Sequence, residues 1–205
     1  MKIARVLPTF FFASLASVAF AEVQTFDFKD PKGVNNVTFV LDAPLESISG
    51  TASGISGTVT YDPENPEATE GKIVVDSESL HVPNPMMKDH MHGEKWLDVK
   101  KYPEISFELK ELSDIQKTEN GGTANATGTF TLHGVSKEIT VPVKVTYLPG
   151  RLKDRMPNAE GDLLVIRSDF TIKRSDFDIQ PGQNEDKVSD EIKISMAIAG
   201  AAPKS

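Results

Sequence analysis

The fold is decided by Gly128-Thr129-Phe130-Thr131-Leu132-His133-Gly134-Val135-Ser136-Lys137 and the run that continues from it to Tyr147. Phe130 and Leu132 alternate with Thr129, Thr131 and His133. Beyond a turn at His133-Gly134, the residues Val141, Val143, Val145 and Tyr147 alternate with Lys144 and Thr146. A period of two sends successive side chains to opposite faces of an extended chain. This stretch therefore reads as a hairpin with one apolar face and one wet face.

The same period recurs on both sides of it. Val37, Phe39 and Leu41 alternate with Thr38, Val40 and Asp42, and Ile105, Phe107 and Leu109 with Ser106, Glu108 and Lys110. Leu164, Ile166, Phe170 and Ile172 share a face between Leu163 and Lys173. Ile192, Ile194, Met196 and Ile198 alternate with Lys193 and Ser195. Ile73-Val74-Val75 follows the turn-rich Asp62 to Gly71. Ile48 to Tyr61, with Gly50, Gly54 and Gly57, reads as one strongly bent strand with bulges. Only Pro85 to Val99 reads as helical, with Pro85 in its first turn and Tyr102-Pro103 beyond its end. About eight antiparallel strands and one short helix make an all-β domain. Alternation alone allows either a closed barrel or a stacked sandwich. A barrel of about eight strands either fills its interior with side chains or holds one ligand there.

The chain opens with Lys2 and Arg5, then an almost uninterrupted apolar run from Leu7 to Phe20, then Ala19-Phe20-Ala21. This is the charge, apolar core and small-x-small pattern of a secretory signal. Cleavage is expected after Ala21, which makes 1–21 a leader and 22–205 one domain in the periplasm. The apolar run is shorter than the ~20 residues of a spanning helix, so no stable membrane insertion is expected.

All 30 acidic residues lie after Ala21, while two of the 22 Lys and Arg lie before it, so the mature formal charge is −10. Nucleic acid and anionic membrane surfaces repel such a chain, which argues against nucleic acid as a partner. With no cysteine, thiol nucleophiles, thiolate metal sites and redox motifs are excluded.

Three segments resemble those of the YceI-like family of exported lipid-binding proteins. The first runs from Lys88-Asp89-His90-Met91 through Trp96-Leu97-Asp98-Val99 to Tyr102-Pro103-Glu104-Ile105-Ser106-Phe107. The second is the hairpin quoted above, similar to the family's G-x-L-T-I-x-G-V-T-K. The third, Ile172-Lys173-Arg174-Ser175-Asp176-Phe177-Asp178-Ile179, is similar to I-x-R-x-D-F-G-I. They fall in the family's order and, with the Gly-rich strands before them, cover most of the mature chain. The chain departs from the family in lacking its first-strand Trp and D-x-x-H-S step between Val23 and Val37. It also carries Asp178 where the family has Gly. The resemblance implies a lipocalin-like barrel carrying a long isoprenoid-type lipid, a polyisoprenoid or quinone, in an apolar tunnel. No cofactor is expected, and no catalysis, since no catalytic constellation stands out. The lining residues would include Phe39, Phe107, Leu109, Phe130, Leu132, Val143 and Ile172. Arg167, Lys173 and Arg174 form a basic cluster near a strand end. Arg167 and Arg174 are the expected contacts for a polar head group, with ion pairing to Asp169 and Asp176 as their other use.

Met86-Met87-Lys88-Asp89-His90-Met91-His92 is the most unusual window. Thioether and imidazole ligands suit copper, so Met87, His90, Met91 and His92 form an alternative metal site. The other reading makes Met87, Met91 and Trp96 the apolar underside of a cap over the barrel. No G-x-S-x-G elbow, phosphate-binding Gly-rich loop, H-E-x-x-H or EF-hand loop occurs, and the dense carboxylates from Glu64 to Glu78 read as a solvated face. Nothing in the sequence sets the oligomeric state.

Overall fold

A computed structural model describes residues 23–204. The expected leader, 1–21, lies outside the described residues. The described residues form one sheet of ten antiparallel strands: β1 (Gln24–Asp27), β2 (Asn36–Asp42), β3 (Ser47–Ala52), β4 (Ile55–Tyr61), β5 (Glu70–Asp76), β6 (Glu104–Thr118), β7 (Gly121–Leu132), β8 (Val135–Leu148), β9 (Gly161–Lys173) and β10 (Glu191–Pro203). The order is β1-β4-β5-β6-β7-β8-β9-β10, and β10 returns to β1 through Ala201 opposite Asp27. Those eight strands close a barrel. The β2–β3 hairpin enters the same seam at the other end, pairing Val40 to Asn36 with Lys193 to Ala197 of β10. Its free edge is tied by the Thr51–His81 bridge.

Closure satisfies the period-two pattern. Phe39 and Leu41 of β2, Phe130 and Leu132 of β7 and Ile172 of β9 are buried, while Thr38, Thr129 and Lys173 between or beside them face outward. His133 and Gly134 both take positive φ, 53° and 74°, the twist that a two-residue hairpin turn requires.

The structure changes two readings and adds one strand. Ile48 to Tyr61 is two strands, β3 and β4, because the chain turns a corner at Ser53-Gly54, where Ile55 N–H donates to the Ser53 carbonyl at 2.9 Å. The helix, α1, runs only over Pro85–His92. Asn84 caps it by accepting from Met87 N–H at 3.2 Å. Gly93 then leaves the helical region, and its carbonyl takes the N–H groups of Trp96 and Asp98 into a compact turn. Finally, β1 carries no visible alternation, being four residues long with only Phe26 buried.

Candidate functional site

A cavity of about 530 Å³ lies inside the barrel. One end is plugged by fully buried Phe26 and Phe28, packed with Ile55, Val59, Tyr61, Leu164 and Ile198. Beneath this plug Asp162, 1 % exposed, accepts from Tyr147 Oη at 2.8 Å, Gln24 Nε2 at 2.7 Å and Gly150 N–H at 2.8 Å. Burial pushes the Asp162 carboxyl upward, but these donors and Lys204 outweigh it and hold it below the ordinary value. Burial and the Asp162 charge push the Tyr147 phenol up to about 12.

The other end opens between Glu46 of the β2–β3 turn, Asn84, Met86 and His90 at α1, and Asn184 and Lys187 of the loop before β10. Leu45 N–H donates to the Asp186 carbonyl at 2.9 Å, which ties two sides of this rim together.

Between the ends the wall is almost wholly apolar. Phe39, Phe107, Leu109, Phe130, Leu132, Val143 and Ile172 all line the cavity, with Ile73, Val75, Ile105, Ile166, Phe170, Ile194 and Met196. Phe107, Leu109 and Val143 are only half-buried within the barrel wall, because the space they face is hollow. The volume falls in the ~300–1,000 Å³ range of ligand pockets. A cavity walled by Phe, Ile, Val and Leu cannot satisfy a polar guest, so it suits an apolar one.

Two glycines shape it. Gly50 sits opposite Phe39 across β2–β3, and a Cβ there would lie 2.2 Å from Phe39 Cζ. Gly128 likewise leaves room for the Phe107 ring. The rings lie over bare backbone, and their other faces border the hollow.

Arg174 and Arg167 are separated by the barrel wall. Arg174 is 1 % exposed and donates to the carbonyls of Ser189, Ile179, Gln180, Gln183 and Val188. Its guanidinium carbon lies 5.7 Å from the Trp96 ring centroid. It borders the cavity, but its donors hold the loop that forms the rim. Arg167 is exposed on the outer face, opposite Lys144 of β8. The expected pairing of these arginines with Asp169 and Asp176 does not occur; Lys137 takes Asp176 at 3.2 Å instead. Asp178, standing where the related motif has Gly, adopts φ 56°. Asp is among the few residues that tolerate this left-handed region, so the substitution keeps the turn.

In the Met/His window, Met87 and Met91 pack against Phe39, Leu41, Leu80 and Val82, forming the apolar underside of a cap. Met86 is 70 % exposed. His92 Nε2 is 2.8 Å from the Leu80 carbonyl, and His90 lies at the rim. No group of three or more His, Asp or Glu side chains gathers to hold a metal among the described residues. No helix among them is long and apolar enough to cross a membrane.

A family model described as a YceI-like domain matches residues 24–199. The chain is 32 % identical over 158 residues to a UPF0312 protein of Pseudomonas putida, covering 77 % of this chain and 75 % of that one. It is 26 % identical over 155 residues to a UPF0312 protein of Yersinia pestis, covering 76 % and 74 %. Among solved structures it is similar to Burkholderia cenocepacia BcnA, with TM-score 0.67 and 23 % identity, over 80 % of this chain and 95 % of that one. It is also similar to a polyisoprenoid binding domain from Saccharophagus degradans implicated in plant cell wall breakdown. That match has TM-score 0.62 and 12 % identity, over 89 % of this chain and all of the other.

Proposed function

The chain belongs to the YceI-like family, and on that premise we propose that it is an exported, periplasmic carrier or buffer of a long isoprenoid-type lipid, a polyisoprenoid or quinone, and not an enzyme. The observation that carries this reading is the continuous apolar lining of a hollow, one-ended barrel. The polyisoprenoid-binding neighbour lends the ligand class, and the leader read at 1–21 lends the compartment.

The mechanism is physical. Each CH₂ withdrawn from water contributes ~0.8 kcal/mol, so a branched hydrocarbon chain needs no polar contact inside the wall. Phe107, Leu109, Phe130, Leu132, Val143 and Ile172 replace water around the chain, and Phe39 closes on it near the rim. The cap formed by Met87, Met91 and Trp96 shields its outer part, with thioether side chains adapting to its shape.

Native mass spectrometry of the mature protein, purified gently and then extracted with solvent, tests this. The expected result is a discrete excess mass that extracts as an isoprenoid. An excess of one copper ion, with copper-dependent stabilisation removed by His90→Ala plus His92→Ala, would move the function to the Met86–His92 window. A bare polypeptide that also takes up no added isoprenoid would overturn the carrier reading.

A further inference from the structure

The barrel wall has a seam between β8 and β9. Their ladder runs only from Lys144 opposite Arg167 to Leu148 opposite Leu163. Yet β8 begins at Val135 and β9 continues to Lys173. Pro142 accounts for the break. Its carbonyl accepts the Ser168 hydroxyl at 2.6 Å and so faces β9. In an extended residue the N–H and C=O point to the same neighbouring strand. The donor that Pro142 lacks is therefore one that would have carried the ladder onward. From there to the Lys137–Asp176 pair, side chains close the wall instead of a ladder.

Val143 and Ser168, at this break, line two spaces. One is the interior cavity. The other is a depression on the outside of the barrel, formed also by Thr123, Asn125, Lys144 and Arg167, with Asp114 and Asp169 in its wall. Lys144 and Arg167 stand directly opposite each other across the ladder, and both are exposed. Like charges so placed repel. Their outer neighbours in register are neutral, Thr123 beside Lys144 and Ala197 beside Arg167. Among the described residues neither cation makes an ion pair. The Asp114 carboxylate already accepts the Asn125 amide at 2.8 Å. In a chain with eight excess negative charges, two facing cations without ion-pair partners sit beside the residues that line both spaces.

We propose that Lys144 and Arg167 form an anion seat for a phosphoryl group, and that the lipid's phosphorylated end reaches it through the β8–β9 seam at Val143 and Ser168. The passage of the lipid rests on the carrier reading above; the anion seat does not. The planar Arg167 fork and the Lys144 point charge would share the phosphoryl oxygens. The lipid's end would then lie on the barrel's side, away from the rim around α1.

The test compares farnesol, farnesyl phosphate and inorganic phosphate on the mature protein and on K144Q/R167Q. Both substitutions lie on the outer surface, and a melting curve checks that folding is intact. Trp96, the sole tryptophan, lines the cavity and reports the two isoprenoids by fluorescence; calorimetry reports phosphate. The expected result is that farnesyl phosphate binds roughly tenfold tighter than farnesol, and that the double variant loses this preference while its affinity for farnesol is unchanged. Phosphate binding on its own, lost in the variant, would show that the seat also takes a free anion. No phosphate binding with the lipid preference intact would assign the seat to the lipid end group alone. Equal affinities for the two isoprenoids in both proteins would overturn the lipid proposal while leaving the carrier reading standing. If neither isoprenoid binds the unaltered protein, the carrier reading and the seam passage fail together, and calorimetry decides the anion seat: no phosphate heat overturns it.

Discussion

Arg174 stacks over Trp96 at 5.7 Å and binds the backbone of the loop that faces α1 across the cavity mouth. A single buried cation thus joins the cap to the loop that forms the opposite rim. Replacing it with Met leaves several carbonyls without donors. At ~1–3 kcal/mol for each buried group left unsatisfied, the cost should reach about 3 kcal/mol or more. The melting temperature should fall by roughly 6–12 °C, with a shift in Trp96 emission. Arg174→Lys should recover only part of this, because an ammonium cannot reproduce the planar fork. An unchanged melting temperature in Arg174→Met would remove the residue from this role.

Gly50→Ala should destabilise the barrel by about 1–3 kcal/mol. The new methyl meets Phe39 Cζ at 2.2 Å and the His81 carbonyl oxygen at 2.5 Å. Shortening the ring with Phe39→Leu in the same chain should relieve the first clash and not the second. Urea unfolding of the two single variants and the double should therefore show a combined loss smaller than the sum of the parts. Strict additivity would mean that the ring does not feel the methyl.

Phe107→Asp should abolish lipid retention, because its side chain faces the hollow and a carboxylate there would be buried among hydrocarbon. Glu108→Ala, one residue along on the outer face, should change stability by no more than ~0.5 kcal/mol and leave retention alone. Extraction of the same lipid from a folded Phe107→Asp protein would take Phe107 out of the binding wall.

The Tyr147–Asp162 pair should make stability fall at both extremes of pH. Asp162 is held below its ordinary carboxyl value of 3.8, so its contribution is present above that value. It is lost as pH drops through the lower, folded-state value. Tyr147 is raised from 10.0 to about 12, so the unfolded chain gives up this proton first. The contribution is complete below pH 10 and disappears as pH rises toward 12. Tyr147→Phe should flatten the alkaline limb in chemical denaturation. A limb of unchanged slope would assign the alkaline loss elsewhere.

The sequence displayed those parts of the fold in which one face is apolar and the strand is long enough to repeat. β2, β7, β9 and β10 were legible for that reason, and so were Phe130, Leu132 and Ile172 as inward residues. β1 was not, since Phe26 alone cannot establish a period. The far halves of β6 and β7 were hidden differently. Residues beyond Leu109 project past β5 and carry bulges at Leu109/Glu111 and Ser113/Gln116, which break the alternation. Ser53-Gly54 looked like a bend in one strand because nothing local distinguishes a corner from a bulge. Arg167 and Arg174 lie seven apart on one strand and its continuation, and sequence alone grouped them. Odd and even positions, together with the turn that buries Arg174, put them on opposite sides of the wall. Pro142 signalled the β8–β9 seam, but its meaning depends on which neighbour its carbonyl faces.

The strand that completes the barrel is the last of the ten described strands. β10 lies against β9 along its whole length and against β2 and then β1 on its other side. Until β10 docks, the rest is an open sheet with two unsatisfied edges, able to recruit other chains. A guest held only by being surrounded has nothing to stay in during that interval. The container is therefore closed before it can be filled, and every occupant must come in through an opening of a finished ring.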